Sequence, residues 1–254
     1  MTPEQTAAAA RPAILDLGSA FSEHPRTLRR ARQLGLTGWA FYVAGRGGAL
    51  GDVPAEVVTA ALGFLAADAV RDGWELARRA VPPYEIAAHN LTECRRYGAE
   101  RFADLPGVDR LVALAGRVVT GADATALPLF AAWRAMPPPD DGQPATHGSQ
   151  TLGARAAALL LLLREHRAGC HLLAVRAVGL TPLEAIISGP EGEAGATAYG
   201  WQPPYPAYEP LLRRRAWADA LTDRLVGAAY RVLTADERTE LITLLAAAHE
   251  TAAA

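Results

Sequence analysis

A chain of 254 residues, half of them hydrophobic and one fifth charged, holds enough apolar side chain to fold as one large domain or two small ones, which excludes intrinsic disorder. A net charge of −2 gives no electrostatic footprint for nucleic acid, and no apolar run approaches the ~18 residues of a membrane span. Lysine is absent and all 25 basic residues are arginine, so lysine Schiff bases, pyridoxal phosphate attachment and a P-loop lysine are excluded.

Met1 to Pro12 is polar and alanine-rich, lacks a basic leader and an apolar core, and reads as a frayed tail rather than a secretory signal. Pro25 to Arg32 is a short basic helix closed by Gly35. Thr37 to Ala44 is apolar and aromatic, and a loop is predicted at Gly45-Arg46-Gly47-Gly48. Asp52, two residues before Pro54, reads as the N-cap of a helix running to about Ala67, with a second segment over Ala69 to Ala80. Val81-Pro82-Pro83 breaks the chain before a helix from Tyr84 to about Phe102. Leu105-Pro106-Gly107 breaks it again before Val108 to Thr120 and Leu127 to Met136.

Pro137 to Gly142, with three prolines, two acids and a glycine, is the strongest boundary. It separates an N-terminal helical region, 12–136, from a C-terminal helix-turn-helix-like region, 145–250, expected to pack together as one unit. His147 to Val178 reads as one long helix or two collinear ones. Thr181-Pro182-Leu183-Glu184 then opens another as a capping box. Gly189 to Gly195 reads as a loop, and the proline-rich Trp201 to Pro210 as an extended segment. Leu211 to Leu233 and Ala235 to Ala248 are helical, with a second frayed tail after His249. No strand with period-two alternation is evident, so the chain is mainly α.

Arg164 through Gly179 to Ser188 has a helix-turn-helix outline, but the second helix offers one acid, no base and little that reads a nucleotide edge. Several blocks resemble an actinobacterial family of winged-helix-like, helix-turn-helix proteins, most of unknown function. The blocks are Leu34-Gly35-Leu36-Thr37-Gly38-Trp39-Ala40-Phe41-Tyr42-Val43-Ala44-Gly45-Arg46, then Pro128 to Ala132, then Leu163-Arg164-Glu165-His166-Arg167 with Gly169 and His171, and finally Thr222-Asp223-Arg224-Leu225. They cover about residues 13 to 235 in the family's order. Where the family motif reads REHRGDGH, this chain has Gly169 in place of an acid and Cys170 in place of a glycine. Too few residues lie between Trp201 and Thr222 for the family's further helix and β-wing. The fold class implied is therefore mainly α, multi-helix and winged-helix-derived, with the wing reduced or lost.

On a helix, Arg164, Arg167 and His171 share one face, His166 and Cys170 share another, and Glu165 lies between. The eight apolar residues Ala156 to Leu163 precede them, so the cluster starts buried and is either an internal ion-pair network or a ligand site. Glu165, His166 and His171 are the candidate acid/base residues. Arg164, Arg167, Arg46, Trp39, Tyr42 and Trp201 are the candidate substrate contacts, with Arg46 suited to clamping a carboxylate or phosphate and equally to capping a helix. His166, Cys170 and His171 do not converge on a metal from one straight helix, so neither metal nor cofactor is expected.

The function expected is a small-molecule-binding protein on a winged-helix-derived scaffold, a cofactor-free enzyme of specialised metabolism performing cyclisation, isomerisation or hydrolysis. The alternative is a ligand-responsive transcriptional regulator. The expected partner is a small molecule rather than nucleic acid or membrane, and a homodimer is compatible with the sequence. The two cysteines, Cys94 and Cys170, read as free thiols of a reduced cytoplasmic protein. Abundant alanine and arginine-for-lysine point to a high-GC bacterial coding sequence.

Overall fold

The computed structural model describes residues 1–137 and 149–253, and among them thirteen α-helices and no strand. In chain order these are α1 Pro3–Leu17, α2 Pro25–Gln33, α3 Gly38–Gly47, α4 Ala55–Leu62, α5 Ala67–Ala80, α6 Pro83–Arg101, α7 Val108–Gly121 and α8 Pro128–Ala135. After them come α9 Ser149–Ala177, α10 Pro182–Ile187, α11 Gly192–Ala198, α12 Leu212–Gly227 and α13 Ala235–Ala253. The chain is mainly α, with no strand where a wing would lie. Most of the proline-rich boundary, from Pro138 to Gly142, and His147 fall outside the described residues. None of the described helices is long and apolar enough to cross a membrane.

The 29-residue α9 is the axis, touching α1, α6, α7, α8, α10 and α12. Its apolar run Ala156 to Leu163 places Ala156, Ala157, Leu160, Leu161 and Leu163 in the main core, which also draws on α1, α3, α6, α7 and α13. The crossing of α6 and α9 is a glycine-to-glycine contact. A Cβ on either Gly98 or Gly153 would run into the carbonyl of the other. A smaller cluster of Val175, Leu180, Ala185, Leu211 and Ala218 lies at the far end of α9, where α10 and α12 meet it.

Five elements depart from expectation. The N-terminal segment is not frayed. Thr2 caps α1, accepting from the Gln5 N–H at 3.1 Å while its own N–H donates to Gln5 Oε1 at 2.9 Å. Ala7, Ala10, Ile14 and Leu17 then form a buried stripe at helical spacing, which composition alone disguises as low complexity. The Gly45-Arg46-Gly47-Gly48 loop is instead the last turn of α3 and the start of a 3-10 turn. Its glycines permit close approach: a Cβ at Gly45 would sit 2.9 Å from Asn90 Cγ, and one at Gly48 would meet the Pro83 carbonyl.

Asp52 does not cap α4, which begins at Ala55 without a side-chain cap. Asp52 pairs instead with Arg78 at 3.0 Å. The loop expected over Gly189 to Gly195 holds the start of α11. At the other end α13 continues to Ala253, and His249 Nε2 lies 2.9 Å from Asp16 on α1.

Candidate functional site

The glycine-lined turn of α3 lets Arg46 come to lie against α9. Its Nε and Nη2 donate to the two Glu165 oxygens at 3.0 and 2.9 Å, a bidentate pair with the carboxylate wholly inside. Arg164 Nη1 donates to the same carboxylate at 2.9 Å. Above the pair, Tyr42 Oη accepts from Arg46 at 3.1 Å and from Arg164 at 3.4 Å. Burial raises the Glu165 and Tyr42 acids, and the two guanidiniums outweigh it, leaving both below their ordinary values. Glu165 is therefore a fixed carboxylate with both oxygens bonded to arginines. Trp133 Nε1 donates to the Arg46 carbonyl at 3.1 Å and fastens α8 over this turn.

One turn on, Arg167 reaches the other way, donating to the Ala7 carbonyl of α1 at 3.1 Å and to Asp223 of α12 at 2.8 Å. His171 Nδ1 lies 2.9 Å from Thr222 Oγ1, and that hydroxyl donates its own proton to the Ala218 carbonyl at 2.7 Å. Thr222 can therefore only accept from His171, which assigns the proton to Nδ1 and leaves Nε2 as a lone-pair acceptor. Phe64 stacks on the ring at 5.4 Å. Burial, together with Arg215, Arg167 and Arg11, pulls His171 down to about 4 against the opposing Asp219, so it is neutral at pH 7. His166 lies behind Phe130, edge-on at 5.0 Å, with Cys170 Sγ 3.8 Å from Nε2. It too is pulled down to about 4, by burial and Arg134.

Arg46, Arg164, Arg167 and His171 line one cavity of about 220 Å³, joined by Arg11 of α1 and Arg215 of α12. Arg11 and Arg215 share Asp219, at 3.7 and 3.1 Å. Twice on one wall, then, two arginines share a single carboxylate. Five guanidiniums line this cavity, and the carboxylates on it or bonded to them are Glu165, Asp219, Asp223 and Glu191, a formal excess of one positive charge.

The other sequence candidates lie around this wall. Trp39 donates its N–H to the Ala69 carbonyl at 2.8 Å and flanks Tyr42. Trp201 donates to the Phe64 carbonyl at 2.8 Å, and the Tyr199 carbonyl accepts from the Ala66 N–H at 2.9 Å. Trp201 thereby holds the extended segment, with Tyr199 on the cavity wall, against the loop that carries Phe64.

Sequence reasoning missed Arg11, Phe64, Tyr199, Arg215 and Asp219. Only the i, i+4 spacing of Arg215 and Asp219 carried a readable signal. The basic run Arg213-Arg214-Arg215 is engaged throughout. Arg213 stacks over Trp217, Arg214 donates to the Gly179 carbonyl, and Arg215 donates to the Ala185 carbonyl.

Among the described residues no group of three or more His, Cys, Asp or Glu is placed to hold a metal ion. Burial raises both thiols, Cys94 to about 12 and Cys170 to about 11, so neither is a thiolate nucleophile at neutral pH. No curated protein and no solved structure matches this chain. A helix-turn-helix family model matches residues 7–254, and the chain belongs to that family.

Proposed function

We propose that this protein binds a small organic anion in the cavity between α1, α9, α10 and α12. The observation that carries the reading is the doubled arrangement of two arginines on one carboxylate, Arg46 and Arg164 on Glu165, Arg11 and Arg215 on Asp219. Each has spare N–H donors on a wall that also carries the apolar Leu62, Leu65 and Ile186, and together they favour a carboxylate or an oxyanion. Glu165 is spent on its arginines and His166 is covered by Phe130, so the acid/base role rests on His171 alone. With one titratable imidazole and an arginine wall for developing negative charge, the chemistry supported is cofactor-free proton transfer next to the ligand's anionic group.

Calorimetry of the full chain with propionate and benzoate tests the reading. Both should bind, and Arg164→Ala and Arg215→Ala should each weaken binding about ten-fold or more. Undiminished binding in both variants would discard the site.

Family membership favours a second reading, a ligand-responsive regulator. It ranks second because α10, in the place of a reading helix, has six residues and turns Ala185 and Ile186 to the cavity. A salt-dependent shift of genomic DNA in a gel is the observation that would raise it.

A further inference from the structure

A second cavity, of about 570 Å³, lies between α4, α8 and α9. Its wall is built from Leu50, Ala61, Leu127, Phe130 and Leu172, and its mouth from Val57 and Leu173, which are 45% and 39% exposed. Arg46, Leu62 and Ala168 line both cavities, so these three residues stand between the two.

Their chemistry is complementary. The first carries the surplus cation yet, at about 220 Å³, is smaller than the ~300–1,000 Å³ that organic ligands usually occupy. The second has that volume, and the buried charges lining it already satisfy each other: Arg46 and Glu165 are bonded face to face, while Glu56 and Arg176 are exposed side chains of its lining. Its mouth exposes two large aliphatic side chains to water, a cost that an apolar guest would remove.

We propose that the two cavities are the halves of one site for an amphiphilic carboxylate. The anionic head lies among Arg164, Arg167, Arg215 and His171, and the aliphatic body passes Leu62 and Ala168 into the second cavity. This rests on the anion reading of the first cavity and adds the class of molecule. Arg46 then serves both halves, presenting spare donors to the head and the flat of its alkyl stem to the chain.

The test is calorimetry of the full chain with butyrate, octanoate and dodecanoate below their micelle concentrations, with dodecanol alongside. Affinity is expected to rise roughly four-fold per added methylene until the second cavity is full. Dodecanol is expected to bind at least ten-fold more weakly than dodecanoate. Ala60→Trp and Leu173→Trp, at exposed positions of the second cavity, should bring dodecanoate down towards the affinity of butyrate. Equal affinity along the series, or long-chain binding untouched by both tryptophans, overturns the two-part site while leaving the anion reading intact. Dodecanol binding as tightly as dodecanoate also overturns it. Failure of every carboxylate to bind overturns the anion reading itself.

Discussion

The Arg46 guanidinium donates two parallel hydrogen bonds to the Glu165 carboxylate, although the residues lie 119 positions apart. Both are buried, at 8% and 2% exposure, in a region where a single charge is costly. Removing one partner strands the other. Arg46→Met and Glu165→Gln are each expected to lower unfolding free energy by about 3–5 kcal/mol in chemical denaturation. The double variant Arg46→Met/Glu165→Leu should recover part of the loss, with Arg164 still in place. Arg46→Lys should behave nearly as badly as Met, because an ammonium cannot reproduce the fork. Measured against Arg46→Met and Glu165→Leu singly, a double-variant loss equal to the sum of the two single losses would show that the pair is not coupled.

Acid should weaken the fold before its carboxylates titrate. His166 and His171 sit at about 4 in the folded chain and ionise near 6.5 once unfolded, so between these values the unfolded state binds more protons. Stability is complete above pH ~6.5 and falls as pH is lowered towards 4, by about 2 kcal/mol per histidine at pH 5. His24 and His89, also lowered by burial, push in the same direction. Glu165, held below its ordinary value, adds its own loss only under pH ~4.5. Urea midpoints at pH 7 and pH 5 check this, and His166→Gln should flatten the profile. An unchanged wild-type midpoint contradicts the neutral burial of both rings.

An anion seated beside His171 favours the imidazolium, so carboxylate binding is expected to raise its pKa from about 4 towards neutrality. By linkage, carboxylate affinity should grow as pH drops from 7 to 5.5, and His171→Asn should abolish that dependence. Imidazole nitrogen shifts, followed by NMR with and without benzoate, give the readout. A His171 titration indifferent to ligand argues that the anion sits elsewhere.

The glycine crossing of α6 and α9 leaves no room for a methyl group between two backbones. Gly153→Ala is expected to cost about 1–3 kcal/mol or more by overpacking. Gly116→Ala serves as the control, because a Cβ there meets nothing within 4 Å. Thermal midpoints of the two variants should diverge, and equal midpoints would mean that the crossing relaxes freely.

Helix positions were legible wherever capping residues and prolines coincide with an apolar stripe, as at Thr181-Pro182-Leu183-Glu184, whose capping box forms. The face shared by Arg164, Arg167 and His171 was legible for the same reason, since α9 is one continuous helix and three- and four-residue spacings hold along it. Arg46 was read into a loop because glycine signals turns in sequence. Here the glycines answer to Asn90 and Pro83, residues some forty positions away that local pattern cannot reveal. Arg11 and Asp219 were invisible alone, since their pairing depends on how α1 and α12 converge on α9. Glu165 looked like an acid/base group because sequence gives its type but not the two arginines that immobilise it.

Arg167 ties α9 to Ala7 across 160 positions and to Asp223 across 56. With Arg46 reaching Glu165 across 119 and Arg11 reaching Asp219 from α1, the contacts that bring the cavity's helices together are long-range. No contiguous short fragment of the chain contains the cavity in embryo, because its lining runs from Arg11 to Asp219. With the anion site as proposed, carboxylate binding should report complete folding: a chain lacking α1 or α12 loses Arg11 or Arg215 and is expected to bind no carboxylate.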